Sequence, residues 1–440
     1  MLIRTAHTAD HADVIIVGAG VAGLATAQQL TRAGVSVSVL EAAPQPGGRM
    51  TTDEVDGFRL DRVGRLMNAA YPEPHRTAGL AGVPLRLFAP GVLVRSGERL
   101  QRMGETVRRG SEPGSARGAL TMARALASAP RPLDEARLGA SLARLAATPV
   151  ERLLARPERQ AAEALAARGL PPRTVQGFLR PLLSALLCDP ELTTSSRCAD
   201  LALRAFARGR LCVPAGGAAS LPDRLAAELP PGTILTGVRV KEASINRVTT
   251  LEYGELSCRA LVLATGAREA AELLPGLRVP RFHPVTVLHH SAPQAPPTGT
   301  ALLLDGEGGG PVAYTTVMSE VDPSRAPRGR TLISSTVLGT PSPDLEREVA
   351  AHLARLYGTP VDDWELLAVH HTPEAVPAMA PSHDVRRPVR VLSGLYVCGD
   401  HRATSTVQGS LLSARRAATA ILQDFAISSP LEPRPLPSAA

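Results

Sequence analysis

The sequence predicts an α/β fold organised around a dinucleotide-binding core. Two observations carry this: a buried-strand run that enters a glycine-rich turn near the N-terminus, and a second strand ending in an acid at the matching distance. The first is Val14-Ile15-Ile16-Val17-Gly18-Ala19-Gly20-Val21-Ala22-Gly23. Four successive β-branched apolar residues read as a strand buried on both faces. Gly18 makes the turn, Gly20 lets a pyrophosphate approach the backbone, and Gly23 lets helix and strand pack closely. A helix is expected from Leu24 to about Ala33, closed by Gly34. Its N-terminus offers free N–H groups and a partial positive charge to that pyrophosphate. The second strand, Val35 to Leu40, ends at Glu41, whose carboxylate stands where such a core places an acceptor for the two ribose hydroxyls. A carboxylate there repels a 2′-phosphate, so the expected nucleotide is FAD or NAD(H), not NADP(H).

The totals bound the rest. At 440 residues, 44% hydrophobic and 20% charged, the chain reads as a soluble globular protein with room for two domains. No apolar run reaches the length of a membrane-spanning helix. The lead Met1 to Ala12 has no signal-peptide core. Cys188, Cys198, Cys212, Cys258 and Cys398 show no Cys-x-x-Cys spacing and read as reduced thiols of a cytoplasmic protein. The net charge is +7, with Lys241 as the one lysine, and aromatic residues are 3%. Spread arginines with so few rings to stack on bases read as a solvated basic surface; no nucleic acid is expected, while peripheral contact with an anionic membrane stays open.

Pro46-Gly47-Gly48-Arg49 follows Glu41, then Gly57-Phe58-Arg59-Leu60-Asp61 and Gly64. Together with the glycine turn, this order resembles the flavin-containing amine oxidase and phytoene (carotenoid) desaturase superfamily. The resemblance implies FAD, places Arg49 against its pyrophosphate, and lets the segment through Gly64, Arg65 and Leu66 lead towards the flavin ring. A guanidinium fork suits phosphate oxygens.

From about Tyr71 to Leu211 the composition turns to Ala, Leu and Arg, with Pro130-Arg131-Pro132 and Pro171-Pro172 as punctuation. Leu138, Leu142, Leu145, Leu153 and Leu154 recur at helical spacing. We expect an inserted, mostly helical segment. The stretch from Phe178 to Arg197 resembles the desaturase branch, in which this region covers the flavin and shapes a substrate tunnel. Val213-Pro214-Ala215-Gly216-Gly217 returns to the superfamily pattern, followed by expected strands Thr233-Leu235 and Val238-Val240 and a buried strand ending in Ala264-Thr265-Gly266. Alternating strands run from His283 to about Pro388, interrupted by a helix at about Leu345-Tyr357. His283, His289, His290, His370 and His371 gather there without a metal-site spacing, so no metal is expected, and sheet-surface histidines are the plain reading.

Gly394-Leu395-Tyr396-Val397-Cys398-Gly399-Asp400 is a strand running into Gly-Asp, followed by Thr404 to Ser410 and a helix from Leu411 to about Gln423. This resembles the family's C-terminal flavin motif. It implies that Asp400 accepts from ribitol hydroxyls and that the helix N-terminus near Val407 and Gln408 faces flavin N1 and the C2 carbonyl, where reduced flavin carries negative charge. The cofactor contacts implied by the resemblance are Gly18, Gly20, Val21, Ala22, Gly23, Glu41, Ala42, Gly48, Arg49, Gly64, Arg65, Leu66, Val238, Ala264, Thr265, Gly266, Gly399, Asp400, Thr406, Val407 and Gln408. No catalytic residue is singled out. The tail after Ile427 is rich in Pro and Ser and is expected to be disordered.

The expected architecture is therefore a Rossmann-like FAD-binding domain of glutathione-reductase type (1–75, 208–285 and 388–426) with an inserted substrate domain of antiparallel sheet plus helices (76–207 and 286–387). FAD is expected without a covalent bond, since Glu374 to Pro381 holds no cysteine. The expected reaction is hydride transfer from a small, fairly apolar metabolite to flavin N5, forming a C=C or C=N bond, with oxygen, a quinone or a carrier as electron acceptor. An amine or amino-acid oxidase releasing hydrogen peroxide, and a non-redox isomerase or cyclase with structural FAD, stand as alternatives.

Overall fold

The structure is a computed structural model, and it describes residues 12–105 and 132–427. The lead before Ala12, the Pro130-Arg131 punctuation and the tail after Ile427 lie outside the described residues.

The first strand, Val14–Val17, is buried at every position and lies at the centre of a six-stranded sheet. Its neighbours are Val37–Glu41 on one side and Ala260–Leu263 on the other, both parallel. Ile234–Thr236 extends the sheet beyond Val37–Glu41, and Leu395–Val397 beyond Ala260–Leu263, again in parallel. Arg390–Leu392 closes the far edge antiparallel. Central strands buried on both faces explain the unbroken apolar runs. The first helix, Val21–Arg32, and the last, Val407–Asp424, pack against each other and the sheet through Leu24, Leu30, Leu411, Ala414, Ala418 and Ile421. Both helices begin earlier than the hydrophobic spacing suggests, because each glycine-bearing turn is already the helix's first turn.

The second sheet has seven strands, in the order Glu365–Pro377, Phe282–Ala292, Thr331–Leu338, Val312–Val317, Leu303–Asp305, Val92–Ser96 and Arg99–Met103. Two corrections follow. The stretch from Tyr71 to Leu211 is not helical throughout: Leu85–Leu87, Val92–Ser96 and Arg99–Met103 are strands, and the last two complete this sheet. The sheet is also mixed, because Leu303–Asp305 runs parallel to Val92–Ser96. Val92-Leu93-Val94 carries the local β preference, and Gly97, at φ +55°, turns the hairpin. The helix Leu345–Tyr357 covers one face through Val349, Leu353 and Leu356. Helices between Pro132 and Arg208 cover the other, with Leu138, Leu142, Leu145 and Leu153 buried as their spacing predicts. The connection carrying Val238 is not a strand; the strand there is Val240–Ser244.

A buried ion network joins the two halves. Arg325 (1% exposed) reaches Asp61 Oδ2 at 2.7 Å and Asp322 Oδ2 at 3.4 Å. Asp61 also accepts from Thr52 and the Ala218 N–H, and Asp322 from the Gly216 N–H. Each carboxylate is thereby satisfied, as burial of charge demands.

Candidate functional site

Gly18 sits at φ +102°, and a Cβ there would meet the Ala264 carbonyl at 3.0 Å. A Cβ on Gly23 would lie 2.0 Å from the Gly18 carbonyl oxygen. Both glycines are thus required by the chain's own backbone. Gly20 differs: a Cβ there meets nothing within 4 Å. Gly20 opens the helix Val21–Arg32 at φ −74°, ψ 176°, with no side chain capping the free N–H groups. An uncapped N-terminus with open space over its glycine is a cradle for a phosphate. Val21 and Ala22 begin the helix, and Gly48, at φ +59°, would place a Cβ 3.5 Å from Gly20 Cα. Gly47 donates to the Ala19 carbonyl, so the second glycine pair is tied to the first.

Glu41 ends its strand beside this turn. Its Oε2 accepts from the Ala19 N–H at 2.7 Å, and its Oε1 from the Ala43 N–H at 2.9 Å. Its own carbonyl accepts from the buried Val238. Ala42 is exposed at the same edge. The carboxylate therefore holds the glycine turn. Ala264 donates to the Val17 carbonyl, and Thr265 and Gly266 lead into the helix Ala267–Leu273 beneath the same turn.

Arg49 lies across this edge from the C-terminal motif. Its Nη2 donates to Asp400 Oδ1 at 2.7 Å and its Nη1 to the Ala375 carbonyl at 2.8 Å. These two contacts hold the guanidinium in place and leave further N–H donors of its fork free. Burial pushes Asp400 up, and the Arg49 charge and hydrogen bond more than offset it, leaving the carboxyl below its ordinary value. Gly399, at φ +141°, exchanges hydrogen bonds with Ser413 Oγ. His401 follows directly, 5% exposed, and neither ring nitrogen has a hydrogen-bond partner. Burial pushes this imidazole down to about 4, so it is neutral. A buried ring with two orphaned nitrogens calls for a ligand or water. The residue was missed in the sequence because one histidine after Gly-Asp carries no spacing signal.

Thr406 caps the last helix by accepting from the Gly409 N–H at 3.1 Å, leaving the N–H groups of Val407 and Gln408 at its mouth. The Gln408 side chain accepts from the Glu73 N–H. Gly409 is fixed from within, since its Cβ would stand 1.8 Å from the Thr404 carbonyl oxygen. Facing this N-terminus is the turn Gly64-Arg65-Leu66. The Gly64 carbonyl accepts from Tyr314 Oη at 3.1 Å, and Arg65 Nη2 donates to the Ser405 carbonyl. Val63, Val285, Val287, Ala375 and Val376 form an aliphatic cluster here, with Cys188 and Leu338. Of the histidines expected on the sheet surface, His289 and His290 are instead buried, His289 because Ser334 and the Asp61 carbonyl satisfy its ring, while His371 is held by Thr286. Among the described residues no three metal-ligating side chains gather. The glycine cradle and the two orphaned imidazole nitrogens fit a dinucleotide along the ends of the parallel strands.

A family model described as "Flavin containing amine oxidoreductase" matches residues 21–422. The chain is 28% identical over 442 residues to hydroxysqualene dehydroxylase of Rhodopseudomonas palustris, covering 93% of this chain and 98% of that one. It is 53% identical over 49 residues to a carotenoid 3,4-desaturase of Haloarcula japonica, covering 11% of this chain and 10% of that one. Against several curated relatives it spans only about a tenth of their length. Among solved structures, putrescine oxidase bound to putrescine superposes with a TM-score of 0.66 at 18% identity, covering 94% of this chain and 99% of that one. No helix among the described residues is long and apolar enough to cross a membrane.

Proposed function

Because the chain belongs to the flavin-containing amine oxidoreductase family, and is therefore an oxidoreductase whose cofactor is FAD, we propose that it is a desaturase or dehydrogenase acting on a small, fairly apolar metabolite to form a C=C or C=N bond. The observation that carries this reading is the aliphatic cluster of Val63, Val285, Val287, Ala375 and Val376, which packs directly behind Gly64. Similarity over 98% of a relative named for hydroxysqualene supports an apolar body for the substrate. The lone Lys241 lies on the exposed side of the strand Val240–Ser244, so no lysine of this chain is at hand to hold a water beside the flavin, as many amine oxidases do.

In this reading residues 1–75, 208–285 and 388–426 form a Rossmann-like FAD-binding domain of glutathione-reductase type, and residues 76–207 and 286–387 the substrate domain. Gly20 and the uncapped first helix take the pyrophosphate, Glu41 the adenosine ribose and Asp400 the ribitol. The N-terminus of the last helix, capped by Thr406, presents its N–H groups where negative charge develops on reduction. Bound FAD supplies a hydride acceptor at N5. The aliphatic cluster keeps the ground behind Gly64 dry, and positioning carries the rate rather than a strong acid or base. FAD is held without a covalent bond. The acceptor of the electrons is oxygen, a quinone or a carrier, and the five free thiols support a cytoplasmic setting.

The test is anaerobic mixing of the yellow holoprotein with candidate substrates deuterated at the oxidised carbon. Flavin bleaching slowed several-fold by deuterium is the expected result. Turnover with the flavin oxidised throughout would overturn the reading, and bleaching by amines alone, with peroxide formed in air, would move it to the amine oxidases.

A further inference from the structure

The side chain of Arg65 is a cation with no carboxylate within ion-pair distance, although its charge helps to hold the Asp400 carboxyl below its ordinary value. It is half-buried, and among the described residues it forms no ion pair. Its two contacts are to neutral groups, the Ser405 carbonyl at 2.5 Å from Nη2 and Cys188 Sγ at 3.5 Å from Nη1. The Cys188 thiol is buried, and burial raises its pKa, so it remains uncharged beside Arg65. Two neighbouring carboxylates have closer partners. Asp189 Oδ2 accepts from Thr193 Oγ1 and from the N–H and Oγ1 of Thr194, and Asp400 pairs with Arg49. The hydroxyl of Tyr314 is spent on the Gly64 carbonyl, which fixes the turn that aims Arg65. His283, from the first residues of its strand, keeps a buried Nε2 with no hydrogen-bond partner, 3.9 Å from Asp189.

A guanidinium has five N–H donors in a planar fork, and two neutral contacts leave most of them unused. A partly buried, unpaired charge is costly unless something completes it. The fork lies next to the residue that precedes the cap of the last helix, and against Cys188 at one end of the aliphatic cluster. We propose that Arg65 is a specificity-determining residue that binds a carboxylate of the substrate, so that the metabolite is an organic acid. This rests on the FAD reading above and narrows its substrate class. A bidentate guanidinium–carboxylate pair fixes both distance and direction, which an aliphatic wall alone does not.

The same charge could instead serve the anionic reduced flavin, and the experiment separates the two. Holoprotein is titrated with benzoate and with the neutral isostere benzamide, read by the shift of the flavin absorbance bands, and separately with sulfite, whose adduct at the flavin is favoured by positive charge near N1. The variants are Arg65→Met and Arg65→Lys. The expected result is saturable benzoate binding that falls about tenfold to a hundredfold in Arg65→Met, is partly restored in Arg65→Lys, and leaves benzamide and sulfite affinities within about threefold. Benzoate bound equally by wild type and Arg65→Met overturns the proposal, as does a wild type that does not bind benzoate. Loss of sulfite affinity with benzoate unchanged assigns the charge to the flavin and also overturns it. If Arg65→Met fails to fold, Arg65→Lys alone must still weaken benzoate relative to benzamide. A wild-type protein that takes up no FAD fails the earlier reading instead, and shows this before any probe is added.

Discussion

Arg49 and Asp400, 351 residues apart in the chain, meet at 2.7 Å, and this one contact closes the N-terminal glycine segment onto the C-terminal motif. Asp400 is the more buried partner, with its side chain 9% exposed against 37% for Arg49. Asp400→Ala therefore removes the proposed ribitol acceptor and the partner of Arg49 together. FAD affinity should fall roughly tenfold to a hundredfold, measured by the recovery of flavin fluorescence on release, and the apoprotein should melt earlier. A variant as tight as wild type would separate Asp400 from the cofactor.

Gly20 and Gly23 should part company under the same substitution. Gly20→Ala adds a methyl into open space at an ordinary backbone angle, so the melting temperature of the apoprotein should stay within about 2 °C while FAD binding weakens. Gly23→Ala drives a methyl against the Gly18 carbonyl, so both stability and binding should drop. Differential scanning fluorimetry of apoprotein and holoprotein reads both. Equal losses of binding and stability in the two variants would remove the phosphate from Gly20.

Glu41→Gln should lower FAD affinity roughly tenfold to a hundredfold, because a charged acceptor is replaced by a neutral one. The Ala19 N–H contact adds a second consequence: the variant loosens the glycine turn, so the apoprotein should also melt slightly earlier. Isothermal titration with FAD gives the first quantity and calorimetric melting the second.

Acid should destabilise the sheet through Asp305. Burial pushes this carboxyl up, and the His352 hydrogen bond with the N–H groups of Glu307 and Gly309 brings it down to about 2. Its folded value lies below its unfolded one, so the stabilisation is fully present above about pH 4 and is lost as the pH falls towards 2. The amount is about 2 kcal/mol. Asp305→Asn should lose it at neutral pH and flatten that part of the pH–stability curve, as urea melts at stepped pH will show.

Thr406→Val removes the side-chain cap on the Gly409 N–H and should cost about 1 kcal/mol. It is the better probe of the helix mouth than a substitution at Gly409, where any Cβ collides with Thr404 and distorts the turn itself.

The nucleotide half of the fold was legible because its signals are local. Strand, glycine turn and acid lie within Val14 to Glu41, and the strand into Gly399-Asp400 is as compact. The helix Leu345–Tyr357 was legible to the residue, since Gly358 at φ +68° stops it. Val92–Met103 was not, because a composition read over the whole stretch after Tyr71 averaged two short strands into their helical neighbours. The Arg49–Asp400 pair, the Asp61–Arg325–Asp322 network and the open fork of Arg65 were not legible either. Each depends on residues brought together across hundreds of positions, and no periodicity records such a meeting.

The seating of Leu395–Val397 beside Ala260–Leu263, which is itself beside Val14–Val17, has a consequence for how the protein is made. During synthesis the first strand waits for residue 260 before its inner neighbour exists, and the strands of Val92–Met103 wait for Leu303–Asp305. Such distant pairings fold slowly and leave edges open to other chains meanwhile. Asp400 and the mouth of the last helix are made later than every strand of both sheets. A nascent chain halted before residue 395 should therefore be a client of chaperones and carry no flavin.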